Sequence, residues 1–374
     1  MQSFLTLQKK PSIEFTSKAK QYSPYCFFDI IRTGDYMNKI DIEKYFTPDL
    51  SQARKRTRKI IEEVQFQLSD AHHKIGIHKT YKIHTYGCQG NEADSEIMAG
   101  ILELMGFTPA QDEYNSDVIL INTCAIRENA ENRIWGQLGR LKAFKRLNPN
   151  LILGLAGCMS QEENVVERVL KKFQHVDLVF GTHNIYKLPE YIQTAMFSKE
   201  RVIEVYSQEG DIIENLPKVR SHKFKAWVNI MYGCDEFCTY CIVPYTRGKE
   251  RSRSKKEIIH EVSTLIEEGY KEVTLLGQNV NAYGKDFKNI DYTFGDLLLD
   301  LDQLDIERIR FTTSHPHDLD MKTMKAMRDG KHIMPHFHLP VQSGSDSVLK
   351  KMNRHYTKST YLDILNKLKE MIPG

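Results

Sequence analysis

From Tyr81 onward the chain alternates between short apolar runs and stretches whose apolar residues recur at helical spacing. Tyr81 to Tyr86 alternates as a strand and stops at Gly87-Cys88, and Glu92 to Leu104 then places Ile97, Ile101 and Leu104 on one helical face before Gly106. Asp117 to Asn122 is an apolar strand ending near Cys124, followed by a helix through Ile134, Leu138 and Leu141. Leu151 to Leu155 is a third buried strand, leading to Gly157-Cys158 and a helix through Val165, Val169 and Phe173, and Val176 to Phe180 supplies a fourth. Apolar strands alternating with helices predict a parallel sheet covered on both faces, a three-layer α/β domain over residues 76–200.

A polar connector containing Pro217 follows, residues 201–225, and a second regular pattern starts near Ala226. Strands are predicted at Ala226 to Met231, Glu272 to Leu276, Arg308 to Thr312 and His336 to Leu339. Helices are predicted at Lys255 to Glu268, Phe294 to Leu304, Met321 to Met327 and Ser359 to Met371. Four βα units in series over residues 226–374 suggest a (β/α) barrel, whose reactive loops lie at the carboxyl ends of its strands. Residues 1–75 are weakly patterned, and an extension that is partly helical or disordered is expected there. Its basic run, Arg54, Lys55, Arg56, Arg58 and Lys59, could touch RNA, but a solvated helical face explains it more simply.

Composition narrows the function. The 374 residues carry 52 Lys and Arg against 49 Asp and Glu, a net charge of +3, so contact with nucleic acid must rest on local patches. No apolar run approaches the roughly 18 residues of a membrane helix, and Met1 to Lys10 lacks the apolar segment of a signal peptide. A cytoplasmic protein without a membrane span is expected, and its seven cysteines then point to metal or redox chemistry rather than to disulfides.

Three of those cysteines lie in Gly233-Cys234-Asp235-Glu236-Phe237-Cys238-Thr239-Tyr240-Cys241. The spacing offers three thiolates to a four-iron cluster and leaves one iron open to a small molecule. A zinc knuckle is the alternative, but no further Cys or His lies between Ala226 and Ser254 to close it. Cys88, Cys124 and Cys158 each follow a predicted strand and precede a helix, which puts all three on the carboxyl edge of one sheet. Singly each is an ordinary small buried residue; together they suggest a second three-cysteine site. Cys26 has no cysteine near it in sequence and is expected to be an ordinary thiol. His315, His317, His336 and His338 invite a metal reading, but alternation of the last two along a strand favours a barrel-lining role for one of them.

These motifs resemble those of the radical S-adenosylmethionine (SAM) methylthiotransferases, over residues 80–374. The matching strings are Thr85-Tyr86-Gly87-Cys88-Gln89, Asn122 to Glu131, Gly157-Cys158-Met159-Ser160-Gln161-Glu162, Tyr245 to Arg253, Leu276 to Asn281, Thr313-Ser314-His315-Pro316 and Leu339 to Ser345. Arg127-Glu128-Asn129 is similar to the branch that acts on isopentenyladenosine in tRNA. The resemblance implies an N-terminal methylthiotransferase domain followed by an incomplete open radical-SAM barrel, whose last units and RNA-binding TRAM domain lie beyond the sequence. It implies two 4Fe-4S clusters, one on Cys234, Cys238 and Cys241 that binds SAM, and a second on Cys88, Cys124 and Cys158. The first would generate a radical from SAM, the second would supply sulfur, and another SAM would give the methyl group, because carbon 2 of adenine offers no acidic proton or leaving group. No side chain is implied as a catalytic acid or base.

Further contacts follow from the same likeness. Tyr240, Gly277, Gln278, Asn279, Ser314, Gln342 and Arg253 are candidate SAM contacts, with turn formation the plainer alternative for several. Arg247, Lys249 and Arg251 are candidate RNA contacts. Expected partners are tRNA and an electron donor such as flavodoxin or ferredoxin, and a monomer is expected. A methylthiotransferase acting on another tRNA nucleoside or a ribosomal protein, and a non-catalytic metal-cluster protein that binds RNA, are the alternatives. The family usually has Met where this chain has Gly90, which should loosen packing near the second cluster.

Overall fold

Apolar runs become the buried strands of the computed structural model, which describes residue 53 and residues 63–125, 128–206 and 211–373. A short strand, β1 (Glu63–Gln65), precedes the main sheet. That sheet is wholly parallel and contains β2 (Thr80–Tyr86), β3 (Thr108–Pro109), β4 (Val118–Thr123), β5 (Ile152–Gly157), β6 (Leu178–Phe180) and β7 (Val202–Glu204), in the order β3-β2-β4-β5-β6-β7. Every residue of β4 and β5 is buried, as their unbroken apolar runs require of central strands. Between the strands run α1 (Gln89–Leu104), α2 (Glu128–Leu147), α3 (Glu163–Lys172) and α4 (Leu188–Phe197). The period of two in β4 divides the domain into three layers: Ile119 and Ile121 pack with α2 and α3, whereas Val118 and Leu120 pack with α1 and α4.

The connector is more structured than its polarity suggests. Its first part forms β7 at the edge of the main sheet, and β8 (Ile212–Glu214) pairs in parallel with β1. The expected extension therefore ends earlier than residue 75, because β1 and the turns after it join the structure; His72 is buried and its Nε2 lies 2.9 Å from Gln193 Oε1. The basic run at Arg54 to Lys59 and Cys26 lie outside the described residues, as do Ile126 and Arg127.

The second region begins with β9 (Lys225–Asn229) and β10 (Met231–Tyr232), then α5 (Val243–Thr246), β11 (Arg251–Ser252), α6 (Lys255–Glu267), β12 (Glu272–Leu276), α7 (Phe294–Asp302), β13 (Arg308–Phe311), α8 (Met321–Asp329), α9 (Asp346–Lys351) and α10 (Lys358–Met371). β9, β12 and β13 form a parallel sheet ordered β13-β12-β9, and β10 pairs antiparallel with β11. Val228, Val273, Leu275 and Ile309 meet Ile258, Val262, Leu297 and Leu301 in the core beneath the helices. The predicted fourth strand at His336 to Leu339 is not a strand. Its place beside β13 is taken by a single parallel bridge between Ile309 and Ile333, because Pro335 and Pro340 flank the segment and neither can donate to a ladder.

Salt bridges join the two regions through the connector. Arg220 Nη1 donates to Glu96 Oε2 of α1 at 3.2 Å and its Nη2 to Glu261 Oε1 of α6 at 2.8 Å, while Ser221 donates from N and Oγ to Glu96 Oε1 at 2.9 and 2.6 Å. Gly100 lets the connector lie flat on α1, since a Cβ there would stand 2.3 Å from Pro217 O. No described helix is long and apolar enough to cross a membrane.

Candidate metal centres

Two groups of three cysteines sit at the carboxyl ends of the two parallel sheets. Cys88 caps the N-terminus of α1 just past β2, Cys124 follows β4 directly, and Cys158 opens a 3-10 turn at the end of β5. β2, β4 and β5 are neighbours in the sheet, so their three thiols share one edge. Glycines permit the close approach. Gly157 has φ 97°, and a Cβ on it would lie 2.4 Å from Asn122 Oδ1; a Cβ on Gly87 would lie 2.3 Å from Asn91 Oδ1. Asn91 and Asn122, both fully buried, lock the edge: Asn91 Nδ2 donates to Asn122 Oδ1 at 3.1 Å and Asn122 Nδ2 to Asn91 O at 2.7 Å.

The electrostatics favour thiolate at one position. A hydrogen bond with Cys124 brings the Cys88 thiol down to about 5, against the opposing effect of burial and with help from Arg247. Burial pushes the Cys158 thiol up, and Arg247 acts against it. Arg247 is itself buried, its Nε lying 3.2 Å from Cys158 Sγ and its Nη2 2.6 Å from Asp94 Oδ2.

The second group is folded by the Gly233 to Cys241 loop. Gly233, at φ 74°, passes so close to the neighbouring strand that a Cβ would stand 2.0 Å from Lys249 O. Cys234 N donates to Gly248 O at 3.0 Å, and Cys241 N to Cys238 O at 2.9 Å. The turn before α10 clamps the outside of the loop. Thr239 N donates to Met352 O at 3.1 Å, Asn353 Nδ2 to Glu236 O and Phe237 O at 3.1 Å each, and Arg354 Nη1 to Cys238 Sγ at 3.1 Å. Burial pushes the Cys234 and Cys241 thiols up.

None of the six described cysteines forms a disulfide. Three sulfurs per group, with an arginine donating to one of them in each, fit a 4Fe-4S cluster that has a single non-protein position: the guanidinium offsets the charge that the thiolates and inorganic sulfides bring into a buried site.

The candidate SAM contacts divide. Asn279 and Ser314 are buried at the ends of β12 and β13, and Asn279 Oδ1 and Ser314 Oγ have no hydrogen-bond partner among the described residues. Gly277 is buried against Met231 and its carbonyl accepts from Thr313 Oγ1 at 2.6 Å; Gln278 is half-buried beside it. Tyr240 is exposed on the cysteine loop, 47% accessible, and Gln342 is exposed with φ 62° in an irregular segment. Unpaired buried polar atoms together with a glycine at a strand end suit a polar small molecule.

Arg253 does not belong with them. It is buried and held by Glu214 and Glu261: its Nε lies 2.8 Å from Glu214 Oε1, and its Nη1 lies 2.6 Å from Asn229 O and 2.8 Å from Glu261 Oε2. The RNA contacts also change. Arg247 faces Asp94 and Cys158, and Arg251 is buried with its guanidinium 5.7 Å from the Tyr232 ring, so neither offers an exposed cation to a phosphate; Lys249 is half-buried. Sequence proximity in a basic run concealed which carboxylates the fold would bring to each arginine.

Of the four histidines, two come together. His315 and His317 meet Glu236 and Asp318, with ligand atoms all within 4.8 Å of one another, while His336 and His338 are exposed elsewhere. Burial, then Arg354, brings His315 down to about 3, and burial, then Asp318, raises Glu236. Glu236, Asn91, Asp94 and Arg354 were not singled out in the sequence; for Asp94, a charged residue in line with Ile97 and Ile101 on the apolar face of a predicted helix was the available signal.

Comparison with known proteins agrees with this geometry. Residues 80–181 match the uncharacterized protein family UPF0004, and residues 228–374 match the radical SAM superfamily. The chain is 56% identical to the tRNA-2-methylthio-N(6)-dimethylallyladenosine synthase of Oceanobacillus iheyensis, over 89% of this chain and 66% of that protein. It is 56% identical to the protein of that name from Bacillus pumilus, over 92% and 69%, and 55% identical to that of Staphylococcus saprophyticus, over 92% and 68%. It thus spans about two thirds of the length of these curated relatives. Among solved structures, the radical SAM methyltransferase TsrM of Kitasatospora setae shares the fold, with TM-score 0.56 and 11% identity over 78% of this chain and 65% of that one. With 56% identity to the Bacillus pumilus protein across 92% of its own length, the chain belongs to the tRNA-2-methylthio-N(6)-dimethylallyladenosine synthase family of radical SAM proteins.

Proposed function

We propose that the chain carries the two metal centres of an enzyme that methylthiolates carbon 2 of N(6)-isopentenyladenosine in tRNA. The carrying observation is the presence, in one chain, of two three-cysteine groups at sheet edges, each with an arginine on a cysteine sulfur. Cys234, Cys238 and Cys241 would hold the 4Fe-4S cluster that binds SAM, and Cys88, Cys124 and Cys158 the second. When bound, the first cluster and SAM would supply a radical that takes hydrogen from the unactivated carbon, the second cluster would supply the sulfur, and another SAM would supply the methyl group.

The chain's own residues orient and enclose. Gly277, Gln278, Asn279 and Ser314 line the strand ends next to the SAM site, and the unpaired Asn279 Oδ1 and Ser314 Oγ are free to take its polar groups. Tyr240, exposed beside Cys241, is available to stack on an adenine. Thr239, Asn353 and Arg354 keep the cysteine loop in one conformation. tRNA is the substrate, a flavodoxin or ferredoxin the reductant, and the protein works in the cytoplasm as a monomer.

Anaerobic reconstitution tests the reading. The chain is expected to bind about eight irons and to cleave SAM under reduction. Replacing Cys234, Cys238 and Cys241 by Ala should halve the iron and abolish cleavage. Bound zinc without SAM cleavage would overturn the reading. Loss of methylthio-isopentenyladenosine from tRNA on deletion of the gene, seen by nucleoside mass spectrometry, fixes the substrate, and an unchanged level would reject it.

A further inference from the structure

The two cysteine groups are joined by a single short piece of chain. Cys241 closes the first group, α5 follows, and Arg247 caps its C-terminus with its N–H on Val243 O at 2.8 Å. That cap reaches into the N-terminal domain. Thr182, just past β6, donates to Thr246 O at 2.9 Å, and the Arg247 guanidinium lies between Asp94 of α1 and Cys158 at the end of β5. The Cys88 site is thus completed by a side chain of the barrel region. Both partners are enclosed: Arg247 is 6% exposed and Asp94 4%.

We propose that Arg247, held by Asp94, is a positioning residue that sets the reduction potential of the cluster on Cys88, Cys124 and Cys158. The inference rests on the proposed function, which puts a cluster there. A cation donating a hydrogen bond to a ligating sulfur stabilises the state with more negative charge, the reduced one, and so raises the potential. Asp94 opposes that effect while fixing the guanidinium's direction. The pair therefore predicts opposite signs: losing Arg247 lowers the potential, and losing the charge of Asp94 raises it. A buried arginine that served only to pack the interface would produce no such opposition.

The test uses the full chain with Cys234, Cys238 and Cys241 replaced by Ala, so that the second cluster alone is loaded and followed by potentiometric titration with electron paramagnetic resonance. R247Q is expected to shift the equilibrium toward the oxidised cluster by at least about tenfold, 59 mV for one electron, and D94N to shift it toward the reduced cluster. If R247Q does not take up iron, the upward shift in D94N decides alone. Unmoved potentials, or shifts of the same sign in both, with iron content equal to the parent's, overturn this inference and leave the proposed function standing. A parent that binds no cluster overturns the proposed function and this inference with it.

Discussion

Arg253 is committed to carboxylates that lie 39 and 8 residues away in sequence, Glu214 and Glu261. Glu261 also binds Lys218 and Arg220, and although burial favours its neutral form, these three cations together hold its carboxyl well below the usual range. Removing one partner from such a buried set leaves charge uncompensated, at a cost of about 3–5 kcal/mol. R253A should therefore lower the urea midpoint by that equivalent while the slope stays unchanged, whereas S314A, which removes only an unpaired buried hydroxyl, should weaken SAM binding in calorimetry with little change in midpoint. A loss of SAM affinity in R253A without loss of stability would restore it as a SAM contact. The cysteines were legible because each ends a strand or sits in a fixed spacing, features that local sequence carries. The tasks of Arg247, Arg251 and Arg253 were not, because an arginine's role depends on which carboxylate or sulfur the tertiary fold delivers to it.

At the scale of elements, α1 contains two glycines with opposite requirements. A Cβ on Gly90 meets nothing closer than 3.5 Å, which is ordinary contact. G90A should hold or raise stability, by less than the roughly 0.5–1 kcal/mol of an interior helical glycine, since Gly90 lies in the first turn of α1. A Cβ on Gly100 would stand 2.3 Å from Pro217 O and 2.6 Å from Lys218 N, both backbone atoms that cannot rotate away. G100A should push the connector off the helix and cost about 1–3 kcal/mol. Thermal melts of the two variants read the difference in sign, and equal shifts would contradict the packing of the connector on α1. Elements with strong periodicity, such as α1, β4 and β12, were legible in the sequence. β7 and β8 were not, because three residues of strand within a polar connector carry no periodic signal. The predicted strand at His336 to Leu339 failed for a different reason: its alternation is right, but Pro335 and Pro340 deny it a ladder, and Ile333 makes the one bridge instead.

For the whole molecule, two half-buried groups, one in the N-terminal domain and one in the connector, contribute pH-dependent limbs of opposite slope. Burial, then Glu131, raises the Glu162 carboxyl from 4.5 to about 7. Between those values the folded state binds more protons than the unfolded one, so the contribution of Glu162 is complete below about 4.5 and is lost as pH rises through about 7. The shift corresponds to at most about 3–3.5 kcal/mol, less for the part of the carboxyl that water reaches. Burial brings the Lys218 ammonium from 10.5 down to about 8, against the attraction of Glu261. There the unfolded state binds more protons, and stability rises as pH passes from about 8 toward 10.5. Urea midpoints of the parent and of each variant, measured from about pH 4.5 to 10.5, isolate the two contributions as differences. The parent-minus-E162Q difference should fall as pH rises from about 4.5 to 7, and the parent-minus-K218M difference should rise from about 8 to 10.5. Because Glu162 sits at the start of α3 and Lys218 in the connector, a single variant that flattened both limbs would mean that the slopes arise from unfolding of the two regions as one charged body rather than from these two groups.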